Sequence, residues 1–184
     1  VTDWAKLFRL GNNLTGVLGV FLGSIIALGD VPQGILAQIT ILHASSVLFF
    51  MCSWNALNDI YDFEIDSVNR PDRPLPSGSI SLREAKVATA ITMISSILSI
   101  ALCYWLISES NSAEGLEVSE WYPSLIIWIM ALILLINYEF PFGLRLKDKG
   151  LPGNISISIS VGLVVVFGAS AVFEPFNQKA WSLF

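Results

Sequence analysis

The segment NDIYDFEID, residues 58–66, carries acidic and amide side chains at helical spacing. At about 100° per residue, one narrow stripe of a helix holds five oxygen-bearing side chains: Asn55, Asn58, Asp59, Asp62 and Asp66. Glu64 points away from this stripe, so the pattern is not indiscriminate acidity. Carboxylate and amide oxygens, completed by water and phosphate oxygens, are the ligands that suit Mg²⁺. The stripe therefore indicates a metal–phosphate site.

Two arginines follow the stripe within the proline-rich loop RPDRPLPSG, residues 70–78. The guanidinium groups of Arg70 and Arg73 can chelate phosphate oxygens, and the three prolines stiffen the loop that carries them. In a plainer interpretation, the carboxylates end a solvated helix and simply pair with these arginines. The single stripe, its position at the end of an apolar helix and the basic loop behind it favour the metal–phosphate site.

Long apolar runs provide the elements that would position this site. The chain of 184 residues is 54% hydrophobic and only 14% charged, which is too little charge to cover a soluble domain. Five segments are long enough to cross a bilayer as helices: residues 11–29, 35–57, 85–107, 121–138 and 154–173. The expected fold is all-α, a polytopic transmembrane helical bundle in which residues 1–184 form one domain. Cys52 and Cys103 fall inside the apolar runs and are expected to pack there without forming a disulfide.

The loop charges predict an orientation in the membrane. Nine of the ten Lys and Arg residues lie on one side of the five predicted spans, and only Lys179 lies on the other. Basic residues concentrate in cytoplasmic loops. The N-terminus, the loop after the acidic stripe and the loop at residues 139–153 are therefore predicted to be cytoplasmic. The protein is expected in the cell membrane, in contact with the lipid bilayer, and no nucleic-acid partner is expected.

Three segments together carry a resemblance to a known family. The acidic stripe and the loop NRPDRPLPSGSIS resemble the first aspartate-rich motif region of the UbiA superfamily of intramembrane prenyltransferases. Arg9 and Asn12 in FRLGNN resemble an Arg-x-x-Asn pattern of the family's first helix, with Leu10 in place of the usual proline. The segment YEFPFGLRLKDKGLPGN, residues 138–154, is similar to the family's second cytoplasmic loop.

The resemblance implies Mg²⁺-dependent transfer of a prenyl group from a prenyl diphosphate to a lipid acceptor. The implied metal ligands are Asn58, Asp62 and Asp66. The implied catalytic residues are Asp59, Asp62 and Asp66, with Asp59 left open between metal ligand, supporting group and base. The implied substrate-binding residues are Arg9, Asn12, Arg70, Arg73, Tyr138 and Lys147.

Within the superfamily, the loops look most similar to those of archaeal enzymes that transfer a geranylgeranyl group to geranylgeranylglyceryl phosphate in ether-lipid synthesis. Members that prenylate chlorophyll or quinone precursors are also similar. Outside this class, a cation transporter and a non-catalytic membrane fragment are the alternatives. Family members typically have nine transmembrane helices, with a second aspartate-rich motif beyond the fifth. This chain ends after its fifth predicted span and has no second Asp-x-x-x-Asp, so an incomplete sequence is expected.

Overall fold

The computed structural model describes residues 2–114, 117–140 and 142–184. Within these ranges the chain is helical and contains no β-strand. The α-helices are α1 (Asp3–Leu7), α2 (Leu10–Leu28), α3 (Gly34–Tyr61), α4 (Phe63–Asn69), α5 (Leu82–Glu114), α6 (Tyr122–Glu139), α7 (Leu151–Ser170) and α8 (Gln178–Ser182). Two short 3₁₀ helices, Val118–Trp121 and Leu146–Lys149, precede α6 and α7.

Five helical segments are long and apolar enough to cross a membrane: Leu10–Leu28, Gly34–Tyr61, Leu82–Ser110, Val118–Glu139 and Leu151–Ser170. The predicted all-α polytopic fold is confirmed, and the chain is an integral membrane protein. The second span extends to Tyr61, past the predicted end at residue 57. Hydropathy marks where polar residues begin, whereas the helix continues through Asn58 and Asp59 because its backbone hydrogen bonds do not depend on side-chain polarity.

A row of leucines on α2 marks a surface that suits lipid. Leu10, Leu14, Leu18 and Leu22 recur every four residues, and each is between 44% and 58% exposed. Residues four apart lie on one face of a helix. A contiguous apolar face of this kind is unfavourable in water but matches lipid tails, which are as apolar as leucine. The exposed leucines thus agree with the assignment of α2 as a membrane span.

Backbone contacts divide the chain into two compact units, Val1–Val17 with Ser45–Ser99 and Leu18–Ala44 with Ile100–Phe184. The core of the first unit consists of Leu7, Ala56, Leu75, Ile80 and Ala85. Two of these, Leu75 in the proline-rich loop and Ile80 just after it, lie in the connection between α4 and α5, so this connection packs against helices instead of extending into solvent. It ends in a capping box, because Ser81 N donates to Glu84 Oε2 at 2.8 Å and Glu84 N donates to Ser81 Oγ at 3.2 Å.

The second unit has its own core and a buried polar cluster. Ile39, Cys103, Ile107 and Ala171 form the core. His43 is 1% exposed, and its Nε2 lies 2.9 Å from Ser124 Oγ. The Ser124 hydroxyl in turn donates to Ser170 Oγ at 2.9 Å. These hydrogen bonds connect α3, α6 and α7, which identifies His43 as a hydrogen-bonded packing residue of this unit.

Glycines allow α2 and α7 to approach closely within the second unit. A Cβ atom on Gly23 would clash with the Val165 carbonyl oxygen and lie 3.2 Å from Ala169 N. A Cβ atom on Gly168 would clash with the Val20 carbonyl oxygen. Small residues at a helix–helix interface permit this backbone contact, which is a main source of packing energy between helices in lipid.

The contact predicts that Gly23→Ala destabilises the protein, by about 1–3 kcal/mol, because the added methyl group overpacks the interface. Gly11→Ala on the same helix is the matched control, since a Cβ atom at Gly11 would meet nothing within 4 Å. Thermal unfolding in detergent micelles measures both variants. Equal melting temperatures for the two would show that α2 and α7 do not depend on this contact.

Candidate active site

The acidic stripe lies where α3 gives way to α4. Asp62 is the one non-helical residue between them, with φ −89° and ψ 7°. Even so, Asp62 N donates to Asn58 O at 2.9 Å, and Asp66 N donates to Asp62 O at 2.8 Å. This four-residue hydrogen-bond spacing continues across the junction, so the side chains of the stripe stay on one face.

Burial follows the predicted stripe. Asp59 is 5% exposed and Asp66 is 6% exposed, whereas Glu64 is exposed to solvent. Removing a carboxylate from water is unfavourable unless positive charge and hydrogen bonds replace the water. The two buried aspartates therefore require cationic partners, and they find them in two arginines from other parts of the first unit.

Arg9 is the first of these partners. It lies in the break between α1 and α2 with φ 51°, in the left-handed region that residues with a side chain rarely adopt. Arg9 Nη2 donates to Asp59 Oδ1 at 2.7 Å and to Asn58 Oδ1 at 3.0 Å. Asn58 Nδ2 then donates to Asp62 Oδ2 at 3.2 Å. Asn58 thus links the guanidinium group of Arg9 to the carboxylate of Asp62.

Arg73 is the second partner. Its Nη1 lies 2.5 Å from Asp66 Oδ2 and 3.2 Å from Asp59 Oδ1. The surrounding loop is held by its own turns, because Arg73 N donates to Arg70 O at 3.1 Å and Ser77 N donates to Arg73 O at 2.9 Å. Asp59 accepts from both guanidinium groups. Among the roles left open for Asp59, this geometry favours that of a supporting group which orients Arg9 and Arg73.

The plainer interpretation of the sequence predicted that the carboxylates pair with both loop arginines, Arg70 and Arg73. Within the part of the chain that the structure describes, this pairing is seen for Arg73 only. Arg73 is engaged with two carboxylates, whereas Arg70 is exposed to solvent. The cluster therefore contains the carboxylates of Asp59, Asp62 and Asp66 against the guanidinium groups of Arg9 and Arg73. Hydrogen bonds connect all of these groups, with Asn58 joining Asp62 to Arg9 and with Asp59 joining Arg9 to Arg73.

Asn12 and Asn13 occupy different environments. Asn12, the predicted substrate-binding residue, is exposed, whereas Asn13 is fully buried. Helix α2 begins at Leu10, and its register turns Asn13 inward and Asn12 outward. The two asparagines are adjacent in the sequence, and the residue at which α2 begins decides which of the two side chains is buried.

The other predicted binding residues, Tyr138 and Lys147, belong to the second unit. Tyr138 is partly buried in the last turn of α6. Lys147 Nζ lies 2.5 Å from Oε1 of Glu139, whose side chain is 1% exposed. Sequence reasoning did not select Glu139. An acidic residue as the last residue of an apolar span, eight positions before a lysine, is the signal that identifies it in retrospect.

The oxygen donors of the stripe suit Mg²⁺ by type, since hard cations prefer carboxylate and amide oxygens. In the arrangement seen here, the Asn58 oxygen accepts from Arg9 and the Asp66 carboxylate accepts from Arg73. Consistently, within residues 2–114, 117–140 and 142–184 no group of three or more His, Cys, Asp or Glu side chains is arranged to hold a metal ion. By donor type these residues fit a hard cation, and in the structure the Asn58 and Asp66 oxygens are engaged by the arginines.

These features define a class of protein: a helical membrane protein whose second span ends in aspartates, with arginines from two neighbouring segments gathered against them. Comparison with known proteins makes the assignment specific. The model of the UbiA prenyltransferase family matches residues 16–184. The chain belongs to the UbiA prenyltransferase family. Arg9 and Asn13 precede the matched range.

Several relatives share one name. The chain is 32% identical over 172 residues to digeranylgeranylglyceryl phosphate synthase of Methanococcus aeolicus, covering 92% of this chain and 52% of that protein. It is 31% identical over 162 residues to the synthase of Thermococcus kodakarensis, covering 88% and 49%. A solved structure from work on digeranylgeranylglyceryl phosphate synthase in membranes superposes with a TM-score of 0.67 at 31% identity, over 92% of this chain and 52% of that one. The chain thus spans about half the length of the relatives it matches.

The arginine network predicts different effects for two acidic residues of α4. Asp66→Ala removes a buried carboxylate and leaves Arg73 with a single partner, so we expect a loss of unfolding free energy of about 1–3 kcal/mol. Glu64→Ala, on the exposed side of the same helix, should leave the melting temperature close to that of the wild type. Thermal unfolding in micelles separates the two, and equal losses would contradict the assignment of the buried face.

Proposed function

We propose that the protein transfers a geranylgeranyl group from geranylgeranyl diphosphate to the hydroxyl group of geranylgeranylglyceryl phosphate, a step of archaeal ether-lipid synthesis. The observation that carries the proposal is the network of Arg9 and Arg73 on the buried aspartates at the end of α3. The name shared by the relatives supports the choice of prenyl donor and acceptor.

The reaction sets a clear demand on the site. The allylic carbon–oxygen bond of the donor breaks, and its electron pair leaves with the diphosphate. The acceptor hydroxyl oxygen forms the new carbon–oxygen bond and gives up its proton. Negative charge therefore grows on the diphosphate in the transition state, and groups already oriented toward that charge accelerate the step.

Arg9 and Arg73 meet this demand by exchanging partners. In the network both guanidinium groups are bonded to carboxylates, whose planar oxygens resemble those of a phosphate as hydrogen-bond acceptors. On binding, the diphosphate would take over donors from Arg73 and Arg9, while Asp59 keeps both side chains oriented. The oxygens of Asn58 and Asp66 would then be released to hold Mg²⁺ together with the carboxylate of Asp62. The metal, when bound, supplies positive charge that stabilises the leaving diphosphate.

The remaining predicted residues take secondary parts in the proposal. Arg70 is exposed and can reach phosphate without losing a carboxylate partner that the network needs. Lys147 is proposed to bind a phosphate oxygen by a similar exchange, in which it leaves Glu139. Tyr138 and Asn12 are also proposed to contact the substrate.

We place the site on the cytoplasmic side of the cell membrane and assign residues 1–184 to one membrane domain. The concentration of Lys and Arg in the N-terminus and the two site loops supports this orientation. Exposed apolar rows such as the leucines of α2 would face lipid, which would give a prenyl donor and a lipid acceptor access from within the bilayer.

Arg73→Lys tests the proposal in the protein expressed from its full coding sequence. Lysine keeps the charge but cannot reproduce the planar fork of the guanidinium group. We expect transfer of the geranylgeranyl group to fall by about tenfold or more in kcat/KM for the diphosphate, the scale of one charge-assisted hydrogen bond. Radiolabelled donor and thin-layer separation of the lipid product give the rates.

Arg83→Lys is the matched control, because Arg83 is exposed at the start of α5 and serves in the proposal only as an orientation signal. Its kinetics should equal those of the wild type. If Arg73→Lys also retained wild-type kinetics, Arg73 would not bind the diphosphate. If the wild type transferred no prenyl group in the presence of Mg²⁺, the proposed activity itself would fail.

A further inference from the structure

Two asparagines form a closed hydrogen-bonded triangle with one backbone carbonyl in the first unit. Asn13 Nδ2 donates to Phe8 O at 2.9 Å, and Asn55 Nδ2 donates to the same oxygen at 3.0 Å. Asn55 Nδ2 also donates to Asn13 Oδ1 at 2.9 Å. Both lone pairs of the Phe8 carbonyl are thus engaged by side chains from α2 and α3. We name Asn13, Asn55 and the Phe8 carbonyl the asparagine clamp.

The clamp lies directly before the strained residue of the site. Phe8 precedes Arg9, whose φ of 51° places it in the left-handed region. Such a conformation persists in a residue with a side chain only when its surroundings hold it. The Phe8 carbonyl belongs to the peptide unit that enters Arg9, so two hydrogen bonds to this oxygen fix the orientation of that unit. The orientation of this peptide unit sets the direction in which the Arg9 side chain leaves the backbone.

The buried position of Asn13 keeps the asparagine clamp in a fixed place next to Arg9. Asn13 is fully buried, and its Nδ2 also contacts Cys52 Sγ at 3.1 Å. Asn55 lies on α3 three residues before Asn58, on the same stripe as the groups that Arg9 contacts. Helix α3 therefore carries both Asn55 of the clamp and the oxygens of Asn58 and Asp59 that receive the Arg9 guanidinium group.

We infer that Asn13 and Asn55 are positioning residues for Arg9: they hold the peptide unit before Arg9 so that its guanidinium group stays directed at Asn58 and Asp59. The use of this arrangement for diphosphate binding rests on the proposed function. Neither asparagine needs to touch the substrate, because Asn13 is buried and Asn55 spends its donors within the clamp. Their contribution passes through Arg9.

Hydrogen–deuterium exchange tests the positioning itself and needs no substrate. The amides of Asn12 and Asn13 donate to Arg9 O at 2.9 and 3.2 Å, so they report on the geometry at Arg9. Asn55→Ala should speed exchange at these amides by about tenfold or more, because the clamp no longer restrains the turn. Ser53→Ala is the matched control. Ser53 lies on the same helix, is buried and donates to Thr89 O at 3.0 Å, away from Arg9. Unchanged exchange in Asn55→Ala, or equal acceleration in Ser53→Ala, would overturn the inference.

A double-mutant cycle tests whether the clamp acts on diphosphate binding through Arg9. Affinity for geranylgeranyl diphosphate with Mg²⁺ is measured for the wild type, Asn55→Ala, Arg9→Ala and the double variant. We expect Asn55→Ala to weaken binding by about tenfold when Arg9 is present and by less than about twofold when it is absent. Equal losses in both backgrounds would show that Asn55 acts by another route. If the wild type does not bind the diphosphate, the proposed function fails, and the exchange comparison alone decides the positioning.

Discussion

Carboxylates buried at the end of a membrane-spanning helix must be matched by positive charge, and the first unit is organised around this requirement. The carbonyl end of a helix already carries negative potential, so Asp59 near the end of α3 lies in an unfavourable field. Burial adds to the unfavourable energy. The left-handed turn at Arg9 and the packed proline-rich loop both bring a guanidinium group to these oxygens. The turn at Arg9 and the loop at Arg73 thus both supply positive charge to the carboxylates near the junction of α3 and α4.

The same requirement recurs in the second unit. Glu139 is the last residue of α6, and its buried carboxylate is paired with Lys147 from the 3₁₀ helix that follows. Arg73 and Lys147 each come from the segment that follows the carbonyl end of a span, whereas Arg9 comes from the break before α2. In the proposed function such pairs would be suited to exchange, because a diphosphate would offer the cation an equivalent partner. The ion pairs that stabilise the buried carboxylates are thus the same groups that the proposed chemistry uses.

Periodicity was enough to predict the spans and the face of the acidic stripe. Five apolar runs gave five membrane helices, and about 100° per residue separated the buried Asp59 and Asp66 from the exposed Glu64. The contacts between segments were not predictable in this way. Which of Asn12 and Asn13 faces inward depends on where α2 begins, and the partners of Arg9 and Glu139 depend on tertiary approach. For Arg9 and the two asparagines no local pattern in the sequence contains that information, whereas the spacing of Glu139 and Lys147 is a signal recognised in retrospect.

The central claim is that Arg73 occupies a carboxylate that Mg²⁺ would otherwise bind, and metal affinity without any diphosphate tests it most directly. Electron paramagnetic resonance with Mn²⁺ as the probe measures that affinity in the wild type, in Arg73→Gln and in Arg70→Gln. Both variants lose one positive charge from the same loop, but only Arg73 contacts Asp66 and Asp59. The account predicts that Arg73→Gln binds Mn²⁺ at least about tenfold more tightly than Arg70→Gln. Equal affinities in the two variants would contradict it.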